Sequence, residues 1–117
     1  MYKFEKLKVW QESVELIDLT YSFCKSLPKS EQRNLIDQLV RSVTSVSLNI
    51  AEGAGSDSDM EFKRYLNVSK KSLFEVVAIL KIVEKLYKRN IQDLTIKTEI
   101  VGKMLSGLIN SLKANSK

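Results

Sequence analysis

Apolar side chains recur at steps of three and four through most of this 117-residue chain, which is the spacing of amphipathic helices. The pattern predicts four helices, over residues 8–27, 30–53, 58–89 and 93–113. Because short links join these helices, they are expected to pack side by side. The sequence therefore predicts an all-α fold, an antiparallel up-down-up-down four-helix bundle, in one domain that spans residues 1–117.

Each predicted helix has an apolar stripe that is expected to form the core. In the first helix the stripe comprises Leu7, Trp10, Val14, Ile17, Tyr21 and Cys24. In the second helix it comprises Leu35, Leu39, Val43, Val46 and Ile50. The third helix has a near-heptad repeat made by Phe62, Leu66, Ser69, Leu73, Val76, Leu80, Val83 and Tyr87. The fourth helix bears Leu94, Ile100, Val101, Met104, Leu105, Leu108, Ile109 and Leu112.

Local signals mark the helix ends. Pro28 is expected to end the first helix or to begin the next link, because proline disfavours helical geometry in the residue before it. Ser30 is expected to cap the second helix, and two glycines within residues 53–55 are expected to supply its C-cap and a turn. Ser58, with Glu61 three residues later, predicts a capping box that opens the third helix.

Further signals concern the second half of the chain. Asn90 is expected to cap the end of the third helix. Inside the fourth helix, Gly102 and Gly107 each cost about 1 kcal/mol relative to alanine. Two interpretations of these glycines stay open: they permit a close approach of helices, or they are merely tolerated. The tail from Ala114 to Lys117 is expected to fray.

Composition is that of an ordinary folded chain, since 44% of the residues are apolar and 28% are charged. Cys24 is the sole cysteine, which favours a reducing compartment. The first residues contain no uninterrupted apolar stretch of the kind found in signal peptides. No segment approaches the roughly 20 apolar residues of a membrane span. The sequence therefore predicts a cytoplasmic protein with no membrane contact.

The usual residues of catalytic and metal sites are missing. The chain contains no histidine, which removes the commonest general base and metal ligand. One cysteine and no histidine leave no zinc site of the usual spacing. The glycines within residues 53–55 follow a helix and do not join a strand to a helix, so they do not form a phosphate-binding loop. The prediction is a protein that is not an enzyme and has no catalytic residue, metal or cofactor.

The whole chain has a net charge of +5, and its basic residues are concentrated in the second half. Residues 1–58 hold seven basic and eight acidic side chains, whereas residues 59–117 hold twelve and six. The predicted third helix has an outward basic surface made by Lys63, Arg64, Lys70, Lys71, Lys81, Lys85, Lys88 and Arg89. Such a surface either follows the phosphates of a nucleic acid or is a solvated face that keeps the protein soluble. Phe74 beside it would stack on a base or pack against a neighbouring subunit.

The third helix also has a wider apolar sector than an isolated bundle needs. Besides its stripe, the helix bears Tyr65, Val68, Val77, Ile79, Ile82 and Leu86. The extra width predicts contact with another copy of the chain, because large exposed apolar patches are rare on monomers. A generous core is the alternative.

A polar line follows the second helix at steps of four, four and three. It is formed by Arg41, Ser45, Asn49 and Glu52. These residues share one side next to the apolar stripe, where a semi-buried arginine and glutamate are expected to be paired. We interpret the line as structural, setting how helices or subunits meet. A ligand site is the alternative.

Several runs of sequence carry a family resemblance. They are LKVWQ from Leu7, LVRS from Leu39, SVSLNIAEG from Ser45, EFKRYL from Glu61 and MLSGLI from Met104. Together they extend over nearly the whole chain and resemble the four-helix-bundle family of 23S ribosomal RNA intervening-sequence proteins. The chain departs from that pattern at Ser47, where proline is frequent, at Ser56, where a basic residue is common, and at Lys71, where glycine is usual.

The resemblance implies a bundle that assembles with copies of itself as a ring, commonly a pentamer. Family members are encoded within insertions in ribosomal RNA genes or by free-standing genes. In a related branch, the accessory variability determinants of diversity-generating retroelements partner a reverse transcriptase and bind nucleic acid through a basic surface. The basic residue missing at Ser56 weakens a role of that loop in RNA contact, whereas Lys71 adds charge to the third helix.

Three hypotheses of function follow. The leading one is a non-catalytic homo-oligomer that binds RNA or DNA through the basic surface of its third helix. A rival is a protein-interaction scaffold, or accessory subunit, that docks a partner such as a reverse transcriptase. A small-molecule carrier is disfavoured, because large aliphatic side chains fill the predicted core.

Overall fold

Helices account for most of the chain in a computed structural model, which describes residues 1–115 and the side chains of residues 1–112. Helix α1 spans Lys8–Cys24, α2 spans Asp37–Ala54, α3 spans Asp59–Tyr87 and α4 spans Gln92–Asn115. A 3-10 turn precedes α1, and a 3-10 turn followed by the π-helical segment Gln32–Ile36 leads into α2. The described residues contain no strand, so the prediction of an all-α fold is confirmed.

A shared core holds the four helices together. Each helix packs against the next one along the chain, and α4 packs against α1. The resulting helical bundle measures 48 × 23 × 20 Å. Every member of the predicted α2 stripe is buried, and so is every member of the α3 stripe except the half-buried Tyr87. Steps of three and four therefore located the core side of these two helices correctly.

The buried side of α1 differs from the predicted one. Val14 and Tyr21 are exposed. The buried positions are Val9, Ser13, Leu16 and Thr20. Two of them are polar, and their hydroxyls donate hydrogen bonds within the helix, Ser13 to the carbonyl of Trp10 (2.6 Å) and Thr20 to that of Leu16 (2.7 Å). Because such hydroxyls are satisfied without water, they can face the core while apolar neighbours stay outside.

The boundaries of the first two helices need correction. Helix α1 ends at Cys24, three residues before the predicted end. Ser30 does not cap the second helix, because it lies inside the 3-10 turn Lys29–Glu31. Helix α2 ends at Ala54, one residue past the predicted end, and Gly55 supplies the C-cap that was predicted for the glycines within residues 53–55. In contrast, the Ser58 hydroxyl accepts a hydrogen bond from the Glu61 amide (3.1 Å), so the predicted N-cap of α3 is confirmed.

The link between α3 and α4 is also different from the prediction. Helix α3 ends at Tyr87, and Lys88 after it has a left-handed backbone conformation (φ 54°). Asn90 caps the start of α4 and not the end of α3, because its side-chain oxygen accepts a hydrogen bond from the Gln92 amide (2.9 Å). Helix α4 reaches Asn115, past the predicted end at residue 113. The last part of the tail that was expected to fray, residues 116–117, lies outside the described residues.

Helices α2 and α3 meet through small side chains. A Cβ atom added to Gly53 would lie 2.8 Å from both Phe62 Cδ1 and Tyr65 Cβ. Further along the contact, the Ser69 hydroxyl donates a hydrogen bond to the carbonyl of Val46 (2.7 Å). The small residues therefore allow α3 to approach the backbone of α2 closely.

Candidate nucleic-acid interface

The predicted basic surface lies on α3 and on the two residues that follow it. Helix α3 has 29 residues, so it is about 43 Å long and nearly spans the molecule. The exposed members of the surface are Arg64, Lys71, Lys81, Lys85 and Lys88, and the half-buried members are Lys63, Lys70 and Arg89. A single long helix thus distributes positive charge along the bundle.

None of these basic residues forms an ion pair with a carboxylate within the part whose side chains are described, residues 1–112. The ion pairs found there join Arg41 to Asp37 and Lys97 to two residues of α1. Glu75 and Glu84 lie between the basic residues in sequence, but neither forms an ion pair with them. Cations without internal partners can pair with phosphates, and the counterions that the nucleic acid then releases favour the binding.

The basic surface differs from the prediction at its C-terminal end. The predicted helix ran to residue 89, but α3 stops at Tyr87. Lys88 therefore does not continue a helical row from Lys81 and Lys85. The Arg89 guanidinium donates to the carbonyl of Ser26 (2.8 and 3.2 Å) and to that of Tyr87 (2.8 Å). These bonds tie the link after α1 to the end of α3 and fix the position of the Arg89 charge.

A second contact at the same end joins Tyr87 to the segment before α2. The Tyr87 hydroxyl donates a hydrogen bond to the Glu31 carboxylate, and this bond raises the pKa of Tyr87 above its ordinary value. The tyrosine therefore stays neutral and can donate this hydrogen bond. The bond joins the end of α3 to the segment between α1 and α2.

An open groove runs between α3 and α4 beside the basic surface. Phe74 stands at its edge with 68% of its surface exposed. The groove has a volume of about 590 Å³ and is lined by Lys70, Phe74, Glu99, Gly102, Lys103, Ser106, Gly107 and Asn110. A Cβ atom added to Gly107 would meet nothing within 4 Å, whereas one added to Gly102 would lie 3.4 Å from Leu73 Cδ2. Neither glycine brings another helix of the same chain into very close approach.

The additional apolar residues of α3 divide into two groups. Ile79 is buried, and Tyr65 and Val77 are half-buried, so they extend the core. The residues that stay exposed are Val68, Ile82 and Leu86, together with Phe74. Part of the wide apolar sector thus belongs to the core, and part of it faces outward.

The four residues of the polar line of α2 lie in two different environments. Ser45 and Asn49 lie where α2 meets α3: the Ser45 and Ser72 hydroxyls are 2.9 Å apart, and the Asn49 amide donates to Ser45 Oγ (3.0 Å) and to the Ser45 carbonyl (2.8 Å). Arg41 and Glu52 are exposed. The expectation that Arg41 and Glu52 are semi-buried is therefore wrong.

Arg41 instead pairs with Asp37, one turn earlier on the same helix (2.6 Å). A cleft of about 410 Å³ lies next to this pair, lined by Gln38, Arg41, Ser42, Ser45, Ser72 and Glu75. The Ser45 and Ser72 hydroxyls of the cleft bond to each other across the helix contact, so these two hydroxyls are satisfied without a ligand.

No feature of the sequence predicted an ion pair that joins α4 to α1. The Lys97 ammonium lies 2.9 Å from Glu12 Oε1 and 3.4 Å from Glu15 Oε1. The side chains of Lys97 and Glu12 are only 17% and 15% exposed. Their hydrogen bond lowers the pKa of Glu12 and raises the pKa of Lys97. The partners are far apart in sequence, and each resembles an ordinary surface residue of its own helix.

Other chemistry is sparse in the described part of the chain. Residues 1–112 bring together no group of three or more His, Cys, Asp or Glu side chains that could hold a metal ion. Cys24 is half-buried, and burial raises the pKa of its thiol, which makes it a poor nucleophile at neutral pH. None of the described helices combines the length and the apolar character needed to cross a membrane.

Comparisons with known proteins place the chain in a family. The crystal structure of a protein with unknown function from the S23 ribosomal protein family of Bacteroides thetaiotaomicron has a similar fold, with a TM-score of 0.64 at 22% sequence identity. The similarity covers 93% of this chain and 98% of that chain. A comparison with curated proteins gives no match. The family model described as 23S rRNA-intervening sequence protein matches residues 5–107. Because that match covers most of the sequence, the chain belongs to the 23S rRNA-intervening sequence protein family.

Proposed function

We propose that this protein is a non-catalytic subunit of a homo-oligomer and that it binds RNA, or another nucleic acid, through the basic surface of α3. One observation carries the proposal: none of the eight basic residues of this surface forms an ion pair with a carboxylate within residues 1–112. A surface that served only for solubility would not need to concentrate its charge on one helix. The cytoplasm is the proposed compartment.

The length of the surface fits a polyanion. From Lys63 to Lys85, both within α3, the helical rise amounts to about 33 Å. At one phosphate per 3.4 Å of each strand, this distance runs alongside about ten phosphates. The family description, which refers to an intervening sequence of 23S rRNA, supports the choice of RNA.

The proposed architecture is an antiparallel up-down-up-down bundle that assembles into a ring. Two contacts support opposite directions for α2 and α3: Ser45 meets Ser72, whereas Gly53, later on α2, lies against Phe62, earlier on α3. Exposed apolar side chains on α3 support self-association, because monomers seldom leave such residues grouped. The pentamer implied by the family resemblance is the proposed number of subunits.

Charge reversal on the basic surface tests the binding proposal. We expect the triple variant Lys81→Glu, Lys85→Glu and Lys88→Glu to weaken the binding of structured RNA roughly 100-fold at low salt, because three phosphate contacts become repulsions. The slope of log affinity against log salt should fall by about 3. Gel-shift or fluorescence-anisotropy titrations between about 50 and 200 mM salt measure both quantities.

The matched control is the triple variant Lys6→Glu, Lys25→Glu and Lys29→Glu, whose three lysines are exposed and lie off α3. It changes the net charge by the same amount, so it should weaken binding only slightly. Equal losses in the two triple variants would show a nonspecific effect of net charge. The proposal fails if the unmodified protein does not bind RNA or DNA at low salt.

A second candidate function is a scaffold that docks a protein partner such as a reverse transcriptase. The observation that favours it is the outward exposure of Val68, Ile82 and Leu86 on α3, since apolar side chains are typical of protein contacts. A pull-down with the purified protein after nuclease treatment distinguishes the two functions. Recovery of a polymerase without nucleic acid, together with no gel shift, would favour the scaffold.

A further inference from the structure

The cleft beside the Arg41–Asp37 pair, here called the α2–α3 cleft, is lined by polar side chains alone. It has a volume of about 410 Å³, and its lining residues are Gln38, Arg41, Ser42, Ser45, Ser72 and Glu75. The groove between α3 and α4 differs in that it includes the ring of Phe74. A molecule in the α2–α3 cleft would therefore be held by hydrogen bonds and charge, which favours a small polar ligand.

Ser42 is the most buried residue of the α2–α3 cleft, with only 5% of its surface exposed. Its hydroxyl forms no hydrogen bond within residues 1–112, and the same is true of Ser47, which does not line the cleft. The other buried hydroxyls each donate to a backbone carbonyl; they belong to Ser13, Thr20, Ser69 and Thr98. Most buried polar groups have such a partner, so the unpaired Ser42 hydroxyl needs a physical explanation.

The unpaired hydroxyl of Ser42 is open to the cleft. Among residues 1–112, no side-chain oxygen or nitrogen is both fully shielded from solvent and without a hydrogen-bond partner. Because the Ser42 hydroxyl has no partner, it must touch solvent, and the α2–α3 cleft is the opening that Ser42 lines. A group that enters the cleft from outside can therefore bond to it.

The rim of the cleft carries one positive and one negative side chain that do not meet. Arg41 and Glu75 are both exposed, and they form no ion pair with each other. Arg41 contacts Asp37 through Nη2 only, in a largely exposed pair, so its guanidinium keeps further N–H donors for a second carboxylate. Glu75 has no cationic partner within residues 1–112.

The two rim charges select the class of ligand. A phosphate or another simple anion would be attracted by Arg41 but repelled by Glu75, and a simple cation would meet the reverse. A molecule that carries both a carboxylate and an ammonium group satisfies both rim charges at once. The Ser42 hydroxyl can then donate to the carboxylate, which gives a charge-assisted hydrogen bond.

We propose that the α2–α3 cleft binds a small zwitterion with one carboxylate and one ammonium group, the chemistry of a free amino acid. Arg41 and Ser42 bind the carboxylate, and Glu75 binds the ammonium group. None of the eight residues of the basic surface lines this cleft. The inference therefore does not rest on the proposed binding of nucleic acid.

Saturation-transfer NMR on the full-length protein in its own oligomeric state tests the ligand class. Glycine and 4-aminobutyrate are the zwitterionic probes, and at least one of them should bind with a Kd on the order of 1 mM at low salt. Acetate and methylammonium each carry only one of the two charges. They should bind at least about 10-fold more weakly than the better zwitterion, because each leaves one rim charge unpaired.

Charge-removing variants test the two rim residues. Arg41→Met and Glu75→Gln should each weaken the binding of the better zwitterion about 10-fold or more, because each removes one charge-assisted contact. The matched controls are Arg33→Met and Glu84→Gln, since both residues are exposed and neither lines the cleft. These control variants should bind like the unmodified protein.

Ser42→Ala separates a binding role from a structural one. The variant should weaken zwitterion binding about 10-fold, because it removes a hydrogen bond to a charged group. Its unfolding temperature should stay the same or rise, since the lost hydroxyl has no partner in the protein and alanine is the better helix former. Circular dichroism measures the unfolding temperature of the same samples.

Several results would overturn the zwitterion site. These are no binding of either zwitterion, binding of acetate as tight as that of glycine, or a Ser42→Ala protein that is less stable and binds normally. If Arg41→Met gave monomers of 13.4 kDa and no zwitterion bound the unmodified protein, the cleft would receive another chain instead. None of these results affects the proposed nucleic-acid binding, which the charge reversal on α3 tests separately.

Discussion

Gly53→Ala is expected to lower the free energy of unfolding by about 3 kcal/mol, the upper end of the cost of overpacking a core. The added methyl would lie 2.8 Å from Phe62 Cδ1 and from Tyr65 Cβ, and 3.2 Å from the Phe62 carbonyl oxygen. The carbonyl and the Cβ atom cannot rotate away, so α3 must shift from α2 as a unit. Thermal unfolding followed by circular dichroism should show a midpoint lowered by roughly 10 °C.

Gly107→Ala is the control for this prediction, because it makes the same chemical change in an open place on α4. Alanine is the better helix former, so this variant should be more stable by up to about 1 kcal/mol. Both variants must be compared at one chain concentration, since self-association adds to apparent stability. A Gly53→Ala protein as stable as the unmodified one would mean that α2 and α3 do not pack as closely as described.

Lys97→Met is expected to lower the free energy of unfolding by about 2 kcal/mol near neutral pH. Methionine keeps most of the apolar stem of the lysine but leaves the Glu12 carboxylate, which is only 15% exposed, without its cationic partner. The loss arises because a largely buried carboxylate pays for desolvation whether or not its partner is present. Urea unfolding at a fixed chain concentration measures the effect.

The pH dependence of this loss of stability tests whether the ion pair between Lys97 and Glu12 causes it. The pKa of Glu12 is lowered in the folded protein, so its contribution is present above the ordinary value of 4.5 and is lost as the pH falls through the folded pKa. The pKa of Lys97 is raised, so its contribution is complete below 10.5 and is lost as the pH rises through the folded pKa. The difference in stability between the unmodified protein and Lys97→Met should therefore be largest between pH 4.5 and pH 10.5. It should shrink at about pH 3.

Arg41→Met provides the comparison for Lys97→Met. Its ion pair with Asp37 is short, but the two side chains are 75% and 53% exposed, so the variant should change stability by less than about 0.5 kcal/mol. If Lys97→Met and Arg41→Met had equal effects, or if the Lys97→Met loss did not depend on pH, lost packing and not charge would explain the result.

The sequence alone determined the helical class, because apolar residues at steps of three and four leave only one regular structure in which they share a side. It also located the core side of α2 and α3, where every member of the predicted stripes except the half-buried Tyr87 is buried. The basic residues of the candidate interface were equally visible, since charge is a property of composition. On α1 the same reasoning failed, because Ser13 and Thr20 satisfy their hydroxyls within the helix and occupy the core.

Only the tertiary structure decided which residues from distant parts of the chain meet. The role of Gly53 depends on Phe62 and Tyr65 approaching it from the next helix, and a helix-ending glycine and a close-packed glycine look alike in the sequence. Lys97 pairs with Glu12, and Arg89 binds the carbonyl of Ser26, through contacts that no local spacing encodes. Periodicity fixes the side of a helix on which a residue lies, whereas the neighbour it finds there depends on how the helices pack.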